Sequence, residues 1–173
     1  MPENPLQTSN PANLFQSLAA LELSDLVGLW RGSHVPSGHP LDGVLENLGW
    51  FGKRFHPNLR ADALLFRTGP ARLIPIDPRF IPLPLALRLT SFGRSRVARN
   101  WFPYVQKMLR AKGPTATLQL LDLENTPTVA MVYDHQPVTD YFRRIDDRTI
   151  LGMMCLKGDA KRFFFTLTKV AET

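Results

Sequence analysis

The sequence predicts a mainly β protein, an antiparallel barrel with an N-terminal helix and a helical insertion. Three observations carry that expectation. Gly28-Leu29-Trp30-Arg31-Gly32 sets an indole between two glycines just after a helical turn, the pattern of a strand whose Trp fills one end of a core while glycine admits close backbone approach. Residues 114–170 alternate apolar stretches with turn chemistry at Glu124-Asn125-Thr126-Pro127, Asp146-Asp147 and Lys157-Gly158-Asp159, as hairpins joined into a meander do. Between these parts lies a segment that opens with closely spaced prolines and continues as a basic amphipathic helix.

Length and composition bound the class. A chain of 173 residues with 44% hydrophobic content fills one core, so a single domain is expected. Within it, 1–9 reads as a loose N-terminus, 10–77 as helix, Trp strand and first strands, 78–113 as the insertion and 114–170 as C-terminal strands. There is no apolar run of about 18 residues and no leader pattern. Cys155 is the one cysteine, which excludes an intramolecular disulfide and fits a reducing compartment. A cytoplasmic protein is the expectation.

Taken in order, Asn10-Pro11 supplies an N-cap and a proline at the first helical position, with Leu14, Phe15, Leu18 and Leu21 at helical spacing. A turn from Ser24 delivers the chain into the Trp30 strand. After a Ser, His, Pro and Gly loop, Leu41, Val44, Leu45 and Leu48 form a helical stripe that Gly49 ends. In Trp50-Phe51-Gly52-Lys53-Arg54-Phe55, strict alternation puts Trp50, Gly52 and Arg54 on one face and Phe51, Lys53 and Phe55 on the other. Lys53 then sits between two inward rings as a clamp, unless its ammonium snorkels outward.

Strands at 63–67 and 71–76 flank a turn at Thr68-Gly69-Pro70. Prolines at 75, 78, 82 and 84 forbid a central strand beyond it. Residues 85–90 suit a buried helical segment, and 94–110 a helix kinked or split at Pro103, with Val97, Trp101, Val105 and Met108 or Leu109 on one side. The remaining strands fall at 115–122, 128–134, 149–157 and 162–170, with 138–145 irregular.

Charge is concentrated. Between Asp77 and Asp122 there is no acidic residue, while Arg79, Arg88, Arg94, Arg96, Arg99, Lys107, Arg110 and Lys112 supply eight cations. The whole chain carries +6, so the rest is slightly acidic. Such a segment attracts phosphate on lipid or nucleic acid, or is a solvated face. Arg94, Arg96, Arg99, Lys107 and Arg110 are the candidate contacts to an anionic membrane. Nucleic acid is disfavoured, because no aromatics interleave with the cations as a stacking platform requires.

Tyr133 shares strand parity with Val129 and Met131, and Asp134 with Ala130 and Val132, so one of the two polar groups faces inward. An inward Tyr133 with Arg143 or Lys53 makes a carboxylate site. The alternative is a tyrosine satisfied by backbone and an Asp140-Arg143 pair ordering the loop after Pro137. His34, His39 and His56 fall in loops and His135 in a turn, without zinc spacing, and such histidines face solvent more often than they ligate. No cofactor or metal is expected, haem through His135 or His39 being the alternative. Cys155, beside Met153 and Met154, reads as a small buried hydrophobe rather than a nucleophile.

The glycine-flanked Trp30 motif, the block 49–55, Ala130-Met131-Val132-Tyr133-Asp134, Pro137 with Asp140, Phe142 and Arg143, Asp146-Asp147, Leu151-Gly152 and Phe163-Phe164-Phe165 together resemble the bacterial and plant family named for its Gly-x-Trp-x-Gly motif, over about 23–170. That family carries a C-terminal companion domain of unknown function. The resemblance implies no activity, and it implies an acidic residue where Cys155 stands. The motif is also similar to the Gly-x-Trp signature of lipocalin and fatty-acid-binding barrels, implying a calycin-like barrel.

No nucleophile elbow, phosphate loop or dinucleotide fingerprint is present. The function expected is binding of a small hydrophobic or amphipathic ligand, fatty-acid-like or similar, as carrier or sensor, in a space around Trp30 that the barrel leaves partly empty. Its contacts are Trp30, Trp50, Phe51, Lys53, Tyr133, Asp134, Arg143 and Met153. An isomerase or hydrolase using Tyr133, Asp134 and Arg143 is the alternative, and a purely structural or protein-binding module with a filled barrel is the third reading.

Overall fold

Helix α1 (Pro11–Ser17) starts where its cap predicts: the Asn10 side chain accepts a hydrogen bond from the Ala12 N–H, and proline occupies the first turn. It stops before Leu21, so the apolar stripe outlasts the helix. The computed structural model describes residues 10–171, and the loose tail expected before them lies outside that range. A 3₁₀ turn (Leu23–Leu26), closed by reciprocal bonds between Glu22 and Asp25, then leads into β1 (Gly28–Val35).

The remaining strands are β2 (Trp50–Phe55), β3 (Arg60–Thr68), β4 (Arg72–Pro75), β5 (Ala116–Leu123), β6 (Thr126–Tyr133), β7 (Val138–Arg144), β8 (Thr149–Leu156) and β9 (Arg162–Lys169). Their order is β2-β1-β9-β8-β7-β6-β5-β3-β4, and a β2–β3 pairing closes the sheet into an antiparallel eight-stranded barrel with β4 added on β3. The seam is narrow: β3 meets β5 through Arg60↔Thr117 and Ala61↔Ala116, and over its upper half β3 pairs with β4 instead. The insertion leaves and returns at this seam, where Ile76 bridges Arg110 and Asp77 N–H reaches Leu109 O at 2.9 Å.

Two readings of strands need correction. Residues 138–145, expected to be irregular, form β7 and pair along their length with β8, from Val138↔Leu156 to Arg144↔Ile150. Strict alternation in β2 also fails, because register shifts flank Gly52, whose φ is +146°. This bulge adds a residue, so Trp50, Lys53 and Phe55 all turn inward while Phe51 turns out, its ring against the Arg31 and Arg67 guanidiniums.

The barrel packs its lower interior with its own side chains. Trp30 is 2% exposed, donates its indole N–H to Leu26 O at 2.6 Å and lies beneath the Lys169 ammonium. Edge contacts join Phe55 to Phe142 at 5.6 Å and Phe142 to Phe165 at 6.2 Å. The space around Trp30 is therefore filled, contrary to the expectation of a void there. A second cluster, Phe15, Val35, Leu151, Met153 and Phe164, lies outside the sheet beneath α1, with Cys155 packed against it.

The insertion makes α3 (Leu83–Arg88), α4 (Thr90–Gly93) and α5 (Arg96–Gln106), and short α2 (Val44–Asn47) sits beside them. Pro103 lies inside α5 without splitting it. The segment expected to be buried is not: α3 has no buried residue, and Leu85 and Leu89 are half exposed. Of the apolar residues on α5, Phe102 packs on Phe66 at 4.9 Å, while Val97, Trp101 and Tyr104 face solvent. Hydrogen bonds pin this cap. Asn47 donates to Gly93 O and Ser95 O, Gln136 to Pro78 O and Ile81 O, and Arg94 to Pro40 O and Asp42 O.

Candidate functional site

The cap stands over the open end of the barrel without filling the space beneath it. A cavity of about 310 Å³ remains, walled by Leu41, Val44, Leu45 and Leu48 from the β1–β2 connection, Leu64 and Phe66 from β3, residues of the insertion including Leu83, Ala86 and Phe102, and Tyr133, Val138 and Met154 from the barrel rim. Its wall is almost entirely apolar because proline-broken backbone and aliphatic side chains face it. The polar side chains in the wall are Tyr133 and Gln136, and Gln136 is committed to holding the cap. The volume stands at the low end of the small-molecule pocket range, about 300–1,000 Å³.

Beside the floor lies a buried polar cluster. Lys53 Nζ is 2.8 Å from Asp140 Oδ2, donates to Ala63 O at 2.9 Å and to the Tyr133 hydroxyl at 3.2 Å. The Tyr133 hydroxyl in turn donates to Asp140 Oδ2 at 3.3 Å. Lys53 and Asp140 are 2% and 1% exposed, so the pair is a desolvated ion pair. Burial pushes the Asp140 carboxyl up, against the opposing pull of Lys53, and drives the Tyr133 phenol well above its usual range. The ammonium also lies 5.1 Å from the Phe165 ring centroid and 5.6 and 5.9 Å from those of Tyr133 and Trp50.

The fold separates the residues the sequence had grouped. Trp30, Trp50, Lys53 and Tyr133 lie inside the barrel, and Tyr133 is the member of that set in the cavity wall. Phe51, Asp134, Arg143 and Met153 face outward. Asp134 pairs with Arg60 at 2.5 Å, which holds its carboxyl below the usual range. Arg143 lies over the Phe15 ring and donates to Thr128 Oγ1 at 2.9 Å, while Met153 packs under α1. Neither the Tyr133-Arg143 site nor the Asp140-Arg143 pair forms, because adjacent residues of a strand take opposite faces and Asp140 goes in. Of the histidines, His39 departs from the solvent-facing expectation: it is 5% exposed, accepts from Leu41 N–H at 3.1 Å and meets the Phe163 ring edge-on.

Asp140 is the interior residue that sequence reasoning did not place in the site. Its signal was Val138, Asp140 and Phe142 on one parity, a carboxylate between two apolar residues, which demands a buried cation. Cys155 on the outer face keeps a protonated thiol, because burial raises its pKa. Among the described residues, no group of three or more His, Cys, Asp or Glu side chains is arranged to hold a metal ion.

The cap's outer surface is the second feature. Val97, Trp101, Tyr104 and Met108 recur at helical spacing and are 55, 66, 77 and 81% exposed, with Phe92, Leu89 and Leu85 continuing the apolar surface along α3 and α4. Arg88, Arg96, Arg99, Lys107 and Arg110 stand exposed in the same segment. Arg94 is instead a structural tie to the β1–β2 connection. No helix among the described residues is long and apolar enough to cross a membrane.

The pattern of the GXWXG protein family matches residues 13–69, which hold β1, β2 and β3, and that of a domain of unknown function, DUF4334, matches 114–169, which hold β5 to β9. Both patterns are those of the family that the sequence resembles. The two matched segments form two contiguous arcs of one sheet, β3-β2-β1 and β9 through β5, and the barrel closes where they meet at the β1–β9 and β3–β5 pairings. A crystal structure of a protein from Thermomonospora curvata has a similar fold, with a TM-score of 0.66 at 26% identity, over 92% of this chain and 85% of that one. No curated protein matches the chain.

Proposed function

We propose that this GXWXG barrel carries or senses a small hydrophobic or amphipathic ligand held beneath its helical cap. The observation that supports the reading most is the 310 Å³ cavity, apolar on nearly every side and roofed by the helical insertion. Burying an apolar ligand there removes its surface from water at about 25 cal/mol per Å². The expected contacts move accordingly, from the filled region at Trp30 to Tyr133, Phe66, Phe102 and Met154 at the mouth.

The cap supports a second part of the same proposal: exchange of ligand while the protein rests on an anionic membrane surface. A helix that turns Trp101, Tyr104 and Met108 outward among cations, in a stretch without acidic residues, matches the chemistry of an anionic lipid headgroup layer. The cytoplasmic leaflet supplies such lipids, consistent with a reducing compartment for Cys155. The alternative enzyme built on Tyr133, Asp134 and Arg143 lacks that geometry, since two of the three lie on the outer face.

Organic extraction of protein purified from its own cells, followed by mass spectrometry, tests the ligand. The expected result is a small apolar compound that is lost from Ala86→Trp, whose indole fills the cavity. Retention of the same compound by a folded Ala86→Trp protein would show that it binds elsewhere.

A further inference from the structure

Two apolar spaces share one wall in the cap. The first is the cavity over the barrel mouth. The second is a groove of about 250 Å³ on the outer side of the insertion, and among the described residues its wall is aliphatic, aromatic or glycine throughout. Leu41, Val44, Leu48, Ala86 and Phe102 line both, so the two spaces lie back to back, one layer of side chains apart. Part of that layer is fixed. Asn47 ties α2 to Gly93 O and Ser95 O, and α4 approaches so closely that a Cβ on Gly93 would lie 2.9 Å from Val44 Cγ1. The rest is the Ala86 methyl and the Phe102 ring. Phe102 meets Phe66 edge-on and stands immediately before Pro103, which has no N–H to give to Arg99 O. The turn of α5 that carries the ring therefore lacks one of its hydrogen bonds.

We infer that the cavity and the groove are two halves of one site, partitioned by the Phe102 ring, and that its ligand is a single-chain amphiphile bound tail first. The inference rests on the cavity reading above and extends it to a chain longer than the cavity. Among the described residues, neither space offers a partner to a polar group. Gln136 is bound to Pro78 O and Ile81 O, the Tyr133 hydroxyl to Lys53 and Asp140, and Lys53 is not one of the wall residues. A charged or hydroxylated end buried there would lose its water without replacement. An alkyl tail has no such cost and gains about fourfold in affinity for each methylene removed from water. Its polar end then lies beyond the groove, in solvent, beside a segment with eight cations and no acidic residue between Asp77 and Asp122.

Two probes and two variants locate the chain. Hexane, which has no polar end, reports on the cavity alone, and tetradecanoate, held below its micelle concentration, reports on the whole site. Leu83→Trp adds an indole to the cavity wall and Leu89→Asn an amide to the groove wall, each residue lining one of the two spaces and not the other. Hexane binding, followed by nuclear magnetic resonance, is expected to weaken by at least about tenfold in Leu83→Trp and to be unchanged in Leu89→Asn. Tetradecanoate binding, followed by calorimetry, is expected to weaken by at least about tenfold in both, the worth of one buried aliphatic side chain. Sensitivity of tetradecanoate to one variant alone confines the chain to one space and overturns the inference, and where that variant is Leu83→Trp the cavity reading stands. Failure of both probes to bind the wild-type protein overturns both readings. Wild-type fluorescence gives an independent readout should a variant not fold. Saturating tetradecanoate is expected to shift Trp101 emission to the blue, an effect absent with hexane and lost in Trp101→Phe. A saturated protein without that shift overturns the path through the groove.

Discussion

Lys53 and Asp140 are the two residues whose burial costs the most and explains the most. Removing one partner of a desolvated pair strands the other charge, whereas replacing both leaves an apolar core that packs. Lys53→Met is therefore expected to destabilise by about 3–5 kcal/mol and the double variant Lys53→Met, Asp140→Leu by much less, read from urea unfolding. A double variant as unstable as the single one would mean that the pair is not what holds this region. His39 gives a residue-scale signature in pH. Burial lowers its pKa below 6.5, so the unfolded chain takes up protons that the folded chain refuses. The corresponding stability is complete above pH 6.5 and is lost as pH falls through that value toward the lowered folded pKa. Melting curves of wild type and His39→Asn are expected to converge as pH drops from 6.5. Parallel curves over that interval would contradict the assignment.

At the scale of the element, β2 is decided by its bulge. A Cβ on Gly52 would lie 2.0 Å from Trp30 O and 2.8 Å from Gly32 N, on a backbone whose φ of +146° suits glycine. Gly52→Ala is expected to cost about 3 kcal/mol or more, because backbone cannot step aside. Gly113→Ala, with nothing within 4 Å of the added Cβ, is expected to change stability by less than about 1 kcal/mol. Thermal melts of the two variants check the contrast, and equal losses would contradict the close approach at Gly52. The same bulge explains why a period-two reading of 50–55 failed: pattern counts residues, and a bulge inserts one without any change in composition. In α5 the apolar spacing was legible, but its direction was not. A stripe reads as core-facing by default, yet here Phe102 alone among the large side chains of α5 packs on the Phe66 ring while Trp101 and Tyr104 turn to water.

For the whole molecule, the cap couples cavity to surface: Ala86 and Phe102 line the cavity, and Leu89 and Trp101 on the same helices border an outer apolar groove. If that surface rests on anionic lipid, reversing Arg96, Arg99 and Lys107 to Glu removes three cations worth about 1 kcal/mol each and weakens vesicle binding by at least roughly a hundredfold. Sedimentation with phosphatidylserine vesicles, repeated at rising salt, measures this, and Trp101 fluorescence reports insertion. Salt-insensitive binding, or light scattering that shows two copies joined through this surface, would replace the lipid reading.

The sequence by itself determined the class of fold. Trp30 between glycines, the hairpins after residue 114 and the proline-marked insertion are local signals, carried by residues near one another in the chain. It also identified Tyr133 and Lys53 as candidates, though not their common partner. Only the tertiary structure decided which faces turn inward across the β2 bulge, that Asp140 rather than Arg143 meets Tyr133, and that the empty space lies under the cap instead of around Trp30. Those outcomes depend on strand register and on closure of the sheet, which bring residues 53, 63, 133 and 140 together. No local pattern can encode contacts between positions that far apart.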